Sequence, residues 1–137
     1  MRTFFDSSAF AKRYIEEPGS QQVDDLCAGA SDLGLSVVCV PEVISALNRR
    51  LRERSLSRPE YARARRGLLR DVSDARVIRL TPAVIASVVA VLEESPIRAM
   101  DAIHVACALE WEAELFVTSD ERQVKAASKA RLRTTLV

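Results

Sequence analysis

The sequence predicts an α/β protein: an α/β/α sandwich around a central, mainly parallel sheet. Short apolar segments alternate along the chain with longer stretches of helical periodicity. Prolines at 18, 41, 59, 82 and 96 fall where those helices should start or end, and Pro is well tolerated in a first turn. Such alternation favours parallel strands joined by right-handed crossovers, each laying a helix back across the sheet.

Taken in order, RTFF reads as the first strand, with SSAFAKRYIEE and a second run ending near Ala30 as helices. LSVVCV reads as the second strand, followed by two long helical stretches, and RVIRL as the third. PAVIASVVAVLEE and AMDAIHVACALEWEA are the next helices, LFVT a fourth strand, ERQVKAASKA a helix and LRTTLV the closing strand. One domain over residues 1–137 is expected, because 48% hydrophobic residues suffices for one core and no linker, repeat or low-complexity stretch interrupts it.

Several function classes are disfavoured. The longest apolar stretches fall well short of the roughly 20 residues a membrane span needs, and the first residues lack a basic-then-apolar signal pattern, so a cytoplasmic location is expected. Cys27, Cys39 and Cys107 form neither a CxxC pair nor an even disulfide framework and read as buried free thiols. There is no Walker loop, G-x-G-x-x-G fingerprint or G-x-S-x-G elbow, and neither Ser7 nor Ser8 has an evident histidine partner.

Net charge is only +1, but its distribution is uneven. Nine arginines against two glutamates between Arg49 and Arg70 make that stretch +7 and leave −6 for the rest. Clustered arginines can pair with phosphates and release counterions. A solvated helix face is the plainer reading of such a run taken alone.

Four carboxylates carry the chemistry. In an open α/β sheet, ligands bind beyond the carboxyl ends of the strands, where strand order reverses. Asp6 ends the first strand and Asp120 lies just beyond LFVT, so both can reach one crevice. Each also suits a helix N-cap, and Thr118 with Glu121 fits a T-x-x-E capping box.

Asp101 cannot be accounted for that way. From Ala99 to Leu109 the only polar side chains are Asp101 and His104, so the helix should be buried, and Asp101 must face a wet cleft or meet a cation. Glu42 follows Pro41 in the first turn of a helix whose stripe is Val43, Ile44, Leu47 and Leu51. There it would gain at least a favourable dipole interaction. Four acids in one crevice would repel unless positive charge compensated them, and oxygen-only ligands point to Mg²⁺, or Mn²⁺ in its place. Such an ion lowers the pKa of a bound water and neutralises charge on a phosphodiester under in-line attack, the chemistry of a nuclease.

The residues also resemble the PIN-domain ribonucleases, in particular VapC-type toxins of toxin-antitoxin pairs. FDSSAFAKRYIEEPGS is similar to the family's opening block, PEVISAL to its first-acid helix, RAMDAIHVACALE to its third-acid helix and LFVTSDERQVKAA to its closing block. The resemblance implies Asp6 and Asp101 as the principal metal ligands, Glu42 and Asp120 completing the pocket, and Thr118 supporting the fourth acid. It further implies endonucleolytic cleavage of RNA, growth arrest, homodimerisation and inhibition by a cognate antitoxin protein. SKARLRTTLV departs from the pattern in lacking the glycine that often precedes the last strand.

Arg49, Arg50 and Arg52 then become candidates for holding RNA phosphates, with a dimer rim or an antitoxin-facing surface as the rival reading. His104 lies three residues after Asp101 and invites a metal-ligand reading, yet one histidine offers no second nitrogen ligand. The alternative to an Mg²⁺-dependent endoribonuclease is a non-catalytic α/β module binding RNA or protein. A metal-dependent phosphatase would need D-x-D, and here the residue two after Asp6 is Ser8.

Overall fold

Phe4 and Phe5 are neighbours on the first strand and belong to different cores. In the computed structural model, which describes residues 1–137, β1 (Arg2–Phe5) is the middle strand of an all-parallel sheet ordered β3-β2-β1-β4-β5. The others are β2 (Asp32–Ser36), β3 (Arg76–Ile78), β4 (Leu115–Thr118) and β5 (Thr134–Leu136). Successive side chains of a strand point to opposite faces, so a sheet covered on both sides needs consecutive apolar residues.

Phe5 and Val117 face a core shared with α1 (Ser7–Phe10), α2 (Ser20–Gly29), α3 (Cys39–Arg52) and α4 (Arg58–Asp74). Phe4 and Phe116, stacked 5.8 Å apart, face a second core with α5 (Pro82–Glu94), α6 (Ala99–Glu110) and α7 (Glu121–Lys129). The expected three-layer sandwich is therefore formed, with every strand pair parallel. No helix is long and apolar enough to cross a membrane.

Two elements differ from expectation. The segment after Phe5 is not one helix: α1 spans a single turn and tightens into a 3₁₀ turn at Ala11–Arg13. LSVVCV is only in part a strand. Pairing ends at Ser36, opposite Ile78 at the end of β3, so Val37 onward has no neighbouring strand to extend against. The Val37 amide still donates to the Ile78 carbonyl, Ser36 Oγ accepts from the Val38 amide, and the helix begins at Cys39. Gly34, in the middle of β2, leaves room for the Trp111 ring; a Cβ there would lie 2.4 Å from it.

The missing glycine before the last strand has a structural answer. Arg131 takes the left-handed conformation (φ 68°) that closes α7, with Leu132 donating to the Ala127 carbonyl. Glycine adopts that conformation without a Cβ penalty. Arg131→Gly is expected to raise stability by about 0.5–1 kcal/mol, read as a higher denaturation midpoint with an unchanged m-value.

Candidate active site

Strand order reverses between β1 and β4, and in an open parallel sheet the crevice belongs there, beyond the carboxyl ends of the strands. Asp6 follows β1 at the floor of that crevice and is fully buried. Its Oδ1 accepts from the Ala9 amide (2.9 Å), capping α1, and from Ser8 Oγ (2.8 Å). Its Oδ2 accepts from Ser8 Oγ (2.9 Å), Thr118 Oγ1 (2.6 Å) and Gln123 Nε2 (2.7 Å). Capping and site roles thus coincide in one carboxylate. Burial nevertheless pushes its pKa above the ordinary value, against the opposing pull of His104 and these hydrogen bonds.

Glu42 stands in the first turn of α3, with Val43 and Leu47 beneath it in the core. Its Oε1 accepts from Ser7 Oγ (2.8 Å) and lies 2.5 Å from His104 Nε2. His104 is almost wholly enclosed within α6. Burial pushes the Glu42 carboxyl up, but the hydrogen bond and charge of His104, together with Ser7, outweigh it and hold the group below the usual range.

Ser7 does therefore have a histidine partner, 3.2 Å from Nε2. Sequence could not reveal it, because the two residues come from β1's exit and a helix 97 positions later. The arrangement is not a serine triad: the acid shares Nε2 with Ser7 instead of taking Nδ1, and Nδ1 is buried without a partner. His104 acts as a clamp on Glu42.

Asp101, half-buried in the first turn of α6, faces the crevice. Its pKa is raised by burial and by the nearby charge of Asp120, with His104 and Arg122 pulling the other way. Gln123 Nε2 reaches it at 3.3 Å, so one amide group links Asp101 to Asp6. Asp120 caps α7 by accepting from the Arg122 amide (2.9 Å) and pairs with the Arg122 guanidinium (3.1 Å). Hydrogen bonding and charge from Arg122, with Arg98 adding to it, hold the carboxyl low.

The T-x-x-E capping box does not form. Thr118 is still in β4, where its hydroxyl donates to Asp6 and accepts from the Asp120 amide (3.0 Å). It supports the first acid as well as the fourth.

Against this geometry, the PIN domain family matches residues 3–129. The chain belongs to the PIN domain family. Among solved structures, the same fold is found in VapBC2 from Rickettsia felis bound to a DNA fragment from its promoter, at 12% identity, TM-score 0.72, and 100% and 99% of the two chains covered. It is found in VapC20 of Mycobacterium tuberculosis, described as a sarcin-ricin loop cleaving toxin, at 19% identity, TM-score 0.69, and 90% and 94% covered. PAE2754 from Pyrobaculum aerophilum shares it at 21% identity, TM-score 0.69, and 92% and 84% covered. No curated protein matches the chain significantly in sequence.

In this PIN domain the four acids surround one crevice without closing on a point: no three carboxylate, histidine or cysteine side chains are drawn together as a ready-made metal cage. The donor set is all oxygen, with one further buried amide oxygen, Gln123 Oε1, that has no partner. That fits Mg²⁺, which is typically held by one or two carboxylates and keeps several waters. Zinc-type ligation has no second nitrogen to use, and the one thiol near the acids, Cys39, is pushed by burial up to about 12 and so is no thiolate.

Of the arginines, Arg49 and Arg52 are exposed at the far end of α3 from Glu42, while Arg50 is paired with Glu17 (2.8 Å). Arg98 and Arg122 lie beside the acids instead, close enough to influence Asp120. Neither arginine stands out in the sequence, and Gln123 hardly does, because single polar residues at helix starts carry no pattern. The ERQ triplet after Asp120 was the one available signal, since it places Gln123 in the first turn of the helix that follows the acid.

Proposed function

We propose that this PIN domain is an Mg²⁺-dependent endoribonuclease, the VapC-type toxin of a toxin-antitoxin pair, acting as a homodimer and inhibited by a cognate antitoxin protein. The observation that carries the reading is the grouping of four acids at the strand-order reversal: Gln123 links Asp6 to Asp101, whose pKa is raised by burial and by the charges of Asp120 and Glu42. The fold shared with toxin structures supports it.

Asp6 and Asp101 would hold the ion, with Glu42 and Asp120 orienting waters around it. When bound, Mg²⁺ supplies a Lewis acid that favours a hydroxide nucleophile and neutralises charge on the phosphodiester. The chain's own residues do the rest. Ser8, Ala9 and Thr118 fix the Asp6 carboxylate, and His104 and Ser7 fix Glu42 in its ionised, proton-accepting form. Arg122 orients Asp120 and, with Arg98, places positive charge at the crevice mouth where a phosphate would enter.

The test is cleavage of a structured RNA by purified protein freed of antitoxin, with and without Mg²⁺ or Mn²⁺. Cutting is expected only with the ion, and metal-independent cutting that persists through further purification contradicts the reading. Arg49 and Arg52 are proposed to hold phosphates, with Arg50 contributing once released from Glu17. RNA affinity should then fall steeply with salt, and Arg49→Ala/Arg52→Ala should flatten the log–log slope by about 1 to 2. An unchanged slope overturns the phosphate-binding role of those side chains.

A further inference from the structure

Gln123 is the side chain that joins the two principal acids, and its arrangement is unusual. Its NH₂ group donates to Asp6 Oδ2 (2.7 Å) and to Asp101 Oδ1 (3.3 Å). The side chain is 3% exposed, and its Oε1 is buried with no donor. A buried amide left unsatisfied at one end is held in place by whatever binds the other end, here two carboxylates.

We propose that Gln123 is a placeholder for the divalent ion: with no ion bound its NH₂ bridges Asp6 and Asp101, and it turns aside when an ion enters between them. This rests on the magnesium reading above and adds a role for a residue outside the four acids.

The charge logic favours one orientation in each state. Between two carboxylates, only the NH₂ end is attracted and the amide oxygen is repelled. A divalent cation in the same space repels the NH₂ end, so the amide that bridges the two acids has to turn aside as the ion enters. Asp6 gives a second reason. Its Oδ2 already accepts from Ser8, Thr118 and Gln123, more donors than its lone pairs serve well, so a cation reaches that oxygen only when one donor leaves. Thr118 is locked in place by the Asp120 amide and Ser8 by the Ser119 amide, whereas Gln123 is tied to nothing else through its side chain.

Two measurements test it. In ¹⁵N-labelled wild type, the Gln123 side-chain NH₂ resonances, assigned through bonds, should move upfield in ¹H and exchange faster with solvent as Mg²⁺ is added. They should saturate together with the backbone amides of Asp6 and Ser119. A Gln123 pair that stays put while those amides shift overturns the placeholder and leaves the magnesium reading intact. In Gln123→Met, which fills the space without a donor, the metal-free melting temperature should fall and Mg²⁺ should bind roughly tenfold more tightly by calorimetry, since no amide has to be displaced. Equal or weaker binding overturns the proposal. If Mg²⁺ neither shifts the wild-type resonances nor gives heat, the magnesium reading falls and the placeholder with it.

Discussion

Asp6→Asn is expected to abolish RNA cleavage, by about 1000-fold or more, and at the same time to raise the melting temperature of the metal-free protein at neutral pH. The first effect follows from the ligand role proposed for Asp6, since electrostatic groups at a reacting phosphate contribute on that scale. The second follows from burial. Asp6 is fully enclosed and its pKa is raised, with desolvation the largest cause. In the unfolded chain the carboxyl ionises near its ordinary value of 3.8, so between that and the higher folded value the native state binds the extra proton. Stability therefore falls as pH rises from the ordinary value through the folded one, so at neutral pH the fold is less stable than it would be with an uncharged group in this place.

Asparagine has no charge to bury. Its Nδ2 would face Gln123, and rotating that amide presents the now partnerless Oε1 as an acceptor. Thermal melts from pH 4 to 8 should show the variant above wild type at the alkaline end, the gap closing towards pH 4. A variant that melts lower at pH 7 would mean that the donors from Ser8, Ala9, Thr118 and Gln123 outweigh burial, and that Asp6 stabilises the fold as well as the site.

The same residue shows how much could be read from sequence and where reading stopped. An acid immediately after a short apolar strand is visible because the sheet's strands must end at the crevice, and consecutive Phe4-Phe5 already implies a sheet covered on both faces. Asp101 was visible as a charge in an otherwise apolar helix, an arrangement that needs a wet cleft. The segment Val37–Val40 has the β propensity of a strand without forming one, because propensity is local whereas a strand ends where its neighbours end: β3 stops opposite Ser36. The spacing allows Thr118 a cap and the resemblance gives it a supporting place at the fourth acid; its hydroxyl accepts from the Asp120 amide and donates to the buried Asp6, a partner the sequence does not indicate. Gln123 leaves only a faint trace, its place in the first turn after Asp120, and the His104 clamp leaves none, since each depends on side chains brought together from opposite parts of the chain.

That clamp makes its own prediction. His104→Leu keeps the volume and removes the group that holds Glu42 below the usual carboxylate range. In wild type, Glu42 ionises more readily folded than unfolded, so it contributes stability that is present above its ordinary value of 4.5 and lost as pH falls through the folded value. Without His104 only Ser7 opposes burial, the carboxyl moves up and the sign of its contribution reverses. The variant should lose about 2 kcal/mol at pH 7, a cost typical of leaving a partly buried charge without its partner, and the deficit should shrink as pH falls from the variant's raised folded value through the ordinary 4.5 to the wild type's lowered one. Its Nδ1, buried without a partner in wild type, is a penalty the leucine removes, which keeps the loss from being larger. In cleavage assays the acid limb of the rate profile should shift to higher pH, and the rate at pH 7 should fall by about 10- to 100-fold. Adding Glu42→Gln to His104→Leu should restore much of the stability but none of the cleavage, because the charge left unpaired is gone while the acid the site needs is gone with it. An unshifted acid limb in the single variant would place Glu42 outside the titrating machinery and reduce His104 to a packing residue.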